Sequence, residues 1–325
     1  MSWGTSSNPA RFGYGQSVSD DRNLFLKVFG GEVLTAFTEQ VTTMDKHSVR
    51  TITSGRSVQF PRTWKATAEY HTPGQEMLGN DIDTSEVTVT VDGFLVAHTA
   101  ISDIDSLMSH FDVRAPYAQE LGQSIARAFD KNVFRSVVLA ARTAADGPFP
   151  AGNVITDAAL TNTGAIDGEA WVEAIRTANI ALFEKNVPEV MPRYCAVNKR
   201  TFDAIKYARD GNGNYLILDR QLGGTGSVAQ RTEMLNVDGV MVYPTNLLPT
   251  ANETSDTSVW AKYRANYSTT TGCLWTPMAV GTVKLADLGM ETERDVRRKE
   301  DFMVASMLAG SGTLRAETAV EFKTS

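Results

Sequence analysis

Cysteine is nearly absent from this chain: Cys195 and Cys273 are the only two in 325 residues. Neither belongs to a C-x-x-C pair, and two thiols build no disulfide framework, so reduced thiols in a cytosolic setting are expected. Histidine is almost as scarce, with His47, His71, His98 and His110. No two stand at H-x-x-x-H spacing, and the acids near His110 (Asp103, Asp105, Asp112) read as solvated residues at a helix entry rather than ligands. No metal and no cofactor is expected. Basic charge is not in excess: 31 Lys and Arg stand against 38 Asp and Glu, a net charge of −7. That excludes a dedicated nucleic-acid-binding module, though not a wall that encloses nucleic acid without adhering to it. Long apolar runs are missing as well. Val137-Val138-Leu139-Ala140-Ala141, bracketed by Arg135 and Arg142, is far too short to cross a bilayer. The N-terminus lacks the charged-then-apolar pattern of a signal peptide. The chain therefore reads as a protein made and kept inside a cell, away from membranes.

Catalytic motifs fail where their chemistry needs them. Asp210, Asn212 and Asn214 match three positions of a calcium loop, but Tyr215 replaces the turn glycine and Gln221 the bidentate acid. Gly223-Gly224-Thr225-Gly226 lacks the lysine and spacing of a phosphate-binding loop. Gly122-Gln123-Ser124-Ile125-Ala126 lacks the last glycine of a nucleophile elbow and lies in a helical pattern. The expectation is a protein that is not an enzyme. An oligomeric cytosolic enzyme using the Gly-rich loops at 211–226 stays as a competing class.

What is present is an ordinary folded composition, 42% apolar and 21% charged, long enough for one large domain or two modest ones. Residues 1–19 are rich in Ser, Gly and Asn and read as a flexible arm. Asp20 and Asp21 then open a helix whose apolar set includes Leu24, Phe25, Val28, Phe29, Val33, Leu34 and Phe37. Gly30-Gly31 in its middle costs roughly 1 kcal/mol each relative to Ala, which points to a bend or to close approach by another chain.

Eleven of the 39 residues between 48 and 86 are apolar. Val58 and Phe60 alternate going out, and Val87, Val89 and Val91 alternate coming back, which predicts a long hairpin with its tip near Thr72-Pro73-Gly74. A two-stranded ribbon without a core is barely stable in water, so it must lie on something, and a neighbouring subunit is one answer. Its charges are segregated. Residues 46–68 hold Lys46, Arg50, Arg56, Arg62 and Lys65 with no acid; residues 69–86 hold Glu69, Glu76, Asp81, Asp83 and Glu86 with no Lys or Arg. Either the two arms neutralise each other, or they form a two-signed strip that docks in one register.

Beyond Asp112, Pro116 fits a first helical turn, and Tyr117, Leu121, Ile125, Ala128, Phe129, Val133 and Val137 repeat at helical spacing to about Ala145, with Gly147-Pro148 as the stop. Residues 150–277 read as an α/β domain, with Asp167 and Asn198 as helix caps and strands at 194–197 and 239–243. Residues 278–325 return to strands around Val283, Leu285, Met303, Val304 and Phe322, interrupted by a Gly310-Ser311-Gly312 turn. Arg294, Arg297, Arg298 and Lys299, interleaved with acids, read either as a solvated strand pair or as an ionic contact around a symmetry axis.

The segment Leu24-Phe25-Leu26-Lys27-Val28-Phe29-Gly30-Gly31-Glu32-Val33-Leu34-Thr35-Ala36-Phe37 closely resembles one in the major capsid proteins of autographivirus-type, short-tailed podoviruses. So do Asp112-Val113-Arg114 and Ala279-Val280-Gly281-Thr282-Val283-Lys284-Leu285. The order of parts resembles the α+β tailed-phage major capsid fold, the Johnson fold, over nearly the whole chain. That resemblance implies an N-terminal arm (1–44), an extended E-loop hairpin (45–95), a peripheral domain with a long spine helix (96–149), an axial domain (150–277) and C-terminal peripheral strands (278–325). It further implies hexamers and pentamers closing into an icosahedral head around double-stranded DNA, assembled on a scaffolding protein in the bacterial host cytoplasm. A portal at one vertex and decoration or tail proteins complete the implied partners. The residues expected between subunits are Leu24, Phe25, Phe29, Gly30, Gly31, Arg56, Arg62, Trp64, Lys65, Glu76, Arg294, Arg297 and Arg298. Lys65 is the only lysine between residues 47 and 130, but no acceptor asparagine or catalytic acid marks covalent cross-linking, which is not expected. A bacterial encapsulin-type compartment sharing the fold is the alternative shell.

Overall fold

The computed structural model describes residues 32, 33, 35–37, 41–64, 66, 68–71, 73, 74, 76, 79, 82–102, 114–209, 211 and 235–325. They fall into two units. The first holds the described residues up to 37 together with 96–126 and 288–307; the second holds 41–95, 127–287 and 308–325. The helix α1 (Arg114–Arg142) and the strands β10 (Val280–Asp295) and β11 (Glu300–Thr313) contribute to both. At 29 residues α1 is about 43 Å long at the standard rise.

In the first unit, the helical residues around Val33, Ala36 and Phe37 are buried on the N-terminal half of α1, where Ala118, Leu121 and Ile125 are buried too. Gly122 makes this approach possible: a Cβ there would stand 2.5 Å from the Val33 carbonyl oxygen and 3.0 Å from the Ala36 Cβ. Close packing therefore explains a glycine that otherwise weakens a helix interior. The same unit holds β4 (Leu95–Ser102), the neighbour of β11, with the rings of His98 and Phe302 5.7 Å apart.

The second unit is built on a six-stranded sheet in the order β5 (Asn153–Thr156), β12 (Ala319–Lys323), β9 (Thr270–Trp275), β6 (Arg193–Val197), β8 (Val240–Pro244), β7 (Leu235–Val237). Two helices, α2 (Gly168–Glu184) and α3 (Lys199–Lys206), join one continuous apolar core with it, in which Trp171, Ile175, Leu182, Phe202, Val240 and Phe322 are buried. Both expected caps are present. The Asp167 carboxylate accepts from the amides of Glu169 (3.0 Å) and Ala170 (3.3 Å), and Asn198 accepts from that of Arg200 (3.4 Å). The Phe134 ring on α1 meets Trp275 edge-on at 5.8 Å, and Tyr194 and Tyr243 gather around the same indole. Cys195 pairs with Leu274, and Ala196 with Cys273. The two thiols thus point to opposite faces of the sheet, and both are free and buried.

Two ion pairs with buried carboxylates fasten the C-terminal half of α1 within this unit. Arg142 donates to both oxygens of Glu321 (2.7 and 2.6 Å), whose carboxylate also accepts from the Thr270 hydroxyl at 2.6 Å. Arg135 grips Glu253 in the same forked way (2.7 and 2.8 Å). Such planar two-point contacts suit guanidinium and carboxylate geometry.

Two expectations need correction. Gly310-Ser311-Gly312 is not a turn but lies inside β11. A Cβ on Gly310 would stand 2.2 Å from the Thr90 carbonyl oxygen, so the glycine admits a neighbouring backbone. The strands expected in 278–325 are present as β10, β11 and β12, the last of them between β5 and β9 in the six-stranded sheet. The helix expected to reach Ala145 ends at Arg142, where Glu321 holds that arginine.

Candidate inter-subunit surface

The hairpin predicted from alternation forms as β2 (Ser57–Thr63) and β3 (Thr84–Thr90), antiparallel, with Ser57 opposite Thr90 and Thr63 opposite Thr84. Alternation puts Val58, Phe60, Val87 and Val89 on one face. The base of the ribbon is seated on its own chain. Val58, Phe60, Val89 and Val91 share an apolar cluster with Ile52, Val283, Leu285, Leu308 and Leu314. The expected need for support is thus met partly within the subunit. β1 (Ser48–Thr51), parallel to β10, closes the seat from the other side, with Ser48 opposite Gly281.

Two of the residues expected between subunits, Arg62 and Trp64, also make contacts within the subunit. The Arg62 guanidinium lies over the Phe149 ring, 4.0 Å from its centroid, and is ion-paired with Asp146. Trp64 meets the same ring edge-on at 5.4 Å, and its amide donates to the Asp83 carbonyl at 2.9 Å. These two side chains clamp the middle of the ribbon to the 146–149 turn. Past the clamp the character changes: every described residue from 66 to 84 is exposed, with Tyr70 fully so and Ile82 nearly half. Glu69, Glu76 and Asp83 lie on this stretch, which carries no Lys or Arg.

Of the two readings of the segregated charges, neutralisation between the arms is seen only in part among the described residues. Across the ribbon Gln59 donates to Glu86 (3.0 Å) and Arg62 to the Ser85 hydroxyl (3.4 Å), while the carboxylate partner of Arg62 lies outside the hairpin. Arg50 lies over Phe60 at 4.7 Å. Arg56 is exposed at the start of the ribbon, its carbonyl accepting from the Val91 amide at 2.8 Å.

The second expected patch forms the tip of the β10–β11 strand pair. Arg294 pairs with Asp301 at 2.9 Å, and Arg298 lies 3.7 Å from both Asp295 and Glu300. Val296, Arg297, Arg298 and Lys299 are exposed at the turn itself, where Lys299 takes a left-handed backbone (φ 57). Leu24, Phe25, Phe29, Gly30, Gly31 and Lys65 lie outside the described residues, as do the Gly-rich residues 223–226. Among the described residues, no group of three His, Cys, Asp or Glu side chains is placed to hold a metal ion. No described helix is long and apolar enough to cross a membrane. Phe149 and Asp146 could not be foreseen as the partners of Trp64 and Arg62, because more than eighty residues separate them.

Among the described residues, the ribbon has a base packed on its own chain and an exposed far half. The family model of the Gp10A-like major capsid protein matches residues 59–323. The chain belongs to that family. The major capsid protein of Enterobacteria phage T3 is 34% identical to it over 340 aligned positions, covering 94% of this chain and 93% of the T3 protein. That of Escherichia phage T7 is 33% identical over 324, covering 93% and 92%. Among solved structures, the capsid of the cyanophage P-SCSP1u matches with a TM-score of 0.74 at 34% identity, over 88% of this chain and 89% of that one. As a family member the chain has the α+β tailed-phage capsid fold and is a structural protein of an icosahedral shell. It self-assembles, and its place is the virion capsid.

Proposed function

We propose that this capsid protein associates as hexamers and pentamers that close into a phage head around double-stranded DNA, with no catalytic role and no cofactor. The observation that carries the reading is the ribbon. Its base is packed on β10 and β11, while every described residue between 66 and 82 is exposed, in a stretch whose charged residues are all acidic. A segment that gains no burial alone is stabilised by covering another surface. In this reading residues 45–95 are the E-loop, 96–149 with the C-terminal strands of 278–325 the peripheral domain, 150–277 the axial domain, and 1–44 the N-terminal arm. Arg56, Arg62, Trp64, Lys65 and Glu76 of the E-loop, Arg294, Arg297 and Arg298 at the strand-pair tip, and Leu24, Phe25, Phe29, Gly30 and Gly31 of the arm serve contacts between copies. Arg62 and Trp64 hold the ribbon at the angle from which it reaches. Assembly takes place in the host cytoplasm on a scaffolding protein, with a portal at one vertex and decoration or tail proteins added to the shell. The net charge of −7 suits a wall that must not adhere to packed DNA.

The seated base dictates the deletion that tests this. Removing residues 66–82 and closing the gap with a short Gly-Ser turn spares every apolar residue of the seat. The subunit should stay folded and soluble and form no closed shells. Full-size particles from the shortened chain would overturn the role given to the ribbon. Cargo separates the phage head from a compartment shell: extracted particles should contain DNA, and a protein cargo instead would favour the compartment.

A further inference from the structure

One buried histidine joins the parts that meet at the ribbon's seat. His47, 6% exposed, lies between the segment before β1, the strand β10 and the helix α1. Its Nδ1 is 2.6 Å from the Thr43 carbonyl oxygen. A carbonyl only accepts, so Nδ1 bears the hydrogen. In the neutral ring Nε2 must then accept, and the Thr282 hydroxyl on β10, 2.9 Å away, donates to it. With its hydrogen so committed, Thr282 can only accept from the Ser311 hydroxyl on β11 at 2.9 Å. The Ser311 amide donates to the Tyr263 oxygen at 2.8 Å, and the Tyr263 hydroxyl donates to the Asp92 carboxylate at 2.6 Å. Asp92 follows β3, so the chain of bonds ends at the base of the ribbon. At the other end, Asp130 on α1 is fully buried and accepts from the Thr43 hydroxyl (2.6 Å) and from the Thr42 amide and hydroxyl (both 2.9 Å).

Neutral His47 sets the direction of the two hydroxyl bonds, Thr282 to the ring and Ser311 to Thr282, while the Ser311 amide and the Tyr263 hydroxyl donate whatever its charge. We propose that His47 is a proton-operated latch: neutral, it ties the 42–51 segment to β10, β11 and, through Asp130, to α1; protonated, it releases them. A second ring proton makes Nε2 a donor, so the Thr282 and Ser311 hydroxyls must both reverse, and the buried imidazolium has a carbonyl and a hydroxyl, not a carboxylate, at its two nitrogens. The charged groups around the ring are Asp45 and Lys46 on its own segment, Asp130 on α1 and Lys284 on β10. Burial dominates and pushes the imidazole below its ordinary value of 6.5; the Thr43 bond, Asp130 and Asp45 oppose it, and Lys284 adds to it. A depressed value in the closed state means that protons favour the open one. From about pH 6.5 downward the open fraction should rise by up to about tenfold per pH unit until the closed-state value is reached.

The test is amide hydrogen exchange on the unassembled full-length subunit between about pH 7.5 and about pH 5, corrected for intrinsic exchange. The reporters are Ser48, whose amide donates to the Pro277 carbonyl, and Ile52, whose amide donates to that of Lys284. Both should lose protection steeply below about pH 6.5. In His47→Gln, which keeps every carboxylate and the other histidines but cannot gain a proton, that loss should vanish. Thr282→Val, which removes the donor that favours the neutral ring, should bring the closed-state value nearer 6.5 and make the loss shallower. An unchanged profile in His47→Gln, or flat protection of the unaltered chain down to about pH 5, would overturn the latch. If His47→Gln does not fold, a loss as steep in Thr282→Val as in the unaltered chain would do the same.

Discussion

Replacing Gly310 by alanine tests how the ribbon is held. A Cβ at that position would stand 2.2 Å from the Thr90 oxygen, 2.8 Å from the Val91 Cα and 3.0 Å from the Asp92 nitrogen. All three are backbone atoms, so no side chain can swing away. Restoring ordinary contact requires a displacement of about 1 Å of the end of β3, and overpacking of that kind costs about 1–3 kcal/mol. Gly312, two residues on, is the internal control: a Cβ there would meet only the Val89 methyl carbons, at 3.2 and 3.3 Å. Gly312→Ala should cost less than about 1 kcal/mol, because a rotamer can give. Urea unfolding of the unassembled subunit, followed by tryptophan fluorescence, measures both. Hydrogen exchange adds the location: the Val91 and Asp92 amides, bonded to the Arg56 carbonyl (2.8 Å) and the Ala309 carbonyl (3.3 Å), should lose protection in Gly310→Ala alone. Equal stability of Gly310→Ala and the unaltered chain, or equal damage from the two replacements, would refute the close-approach reasoning.

Arg142→Met leaves the Glu321 carboxylate, fully buried, with only the Thr270 hydroxyl, and should destabilise the subunit by about 3–5 kcal/mol in the same urea assay; adding Glu321→Met should recover most of it, since the pair replaced together leaves no lone charge. At Glu253 burial works against ionisation, but Arg135 and Lys131 together outweigh it and hold the carboxyl below its usual 4.5. Its contribution is therefore complete above about pH 4.5 and lost as pH falls through the depressed value, so a thermal-melt series from neutral to acid should fall less steeply in Glu253→Gln than in the unaltered chain. Trp64→Ala removes the edge contact with Phe149 at a cost of about 1–3 kcal/mol, and should lower shell yield more than subunit solubility, measured by sedimentation of assembled and free fractions.

Much of the architecture was legible because local signals and tertiary environment agreed. The Tyr117–Val137 spacing produced α1, and Asp167 and Asn198 cap the helices that follow them. The Val58, Phe60, Val87 and Val89 alternation forecast not only two strands but their pairing. Elsewhere the letters were ambiguous. Gly310 and Gly312 read as a turn because glycine serves both turns and close backbone approach, and only the neighbour at Thr90 distinguishes the two uses. The place of β12 could not be read, since a period-two pattern reports burial on a face and says nothing of strand order. Arg62 and Trp64 stood out as exposed-looking aromatic and cationic residues on a ribbon; their engagement with Asp146 and Phe149 depends on a contact far apart in sequence. His47 attracted no attention as an isolated histidine, because its partners Thr43, Thr282 and Ser311 carry no recognisable motif. Family membership was legible from the Leu24–Phe37 segment, which lies mostly outside the described residues. The match over residues 59–323 is consistent with it through an independent part of the chain.

The most direct test of the shell assignment is velocity sedimentation of the full-length chain, expressed alone and with a candidate scaffolding protein, with electron microscopy of the fastest fraction. Closed polyhedral particles of one size, made of this chain, are the predicted result. A stable dimer or tetramer under both conditions, with no particles in any fraction, would contradict it.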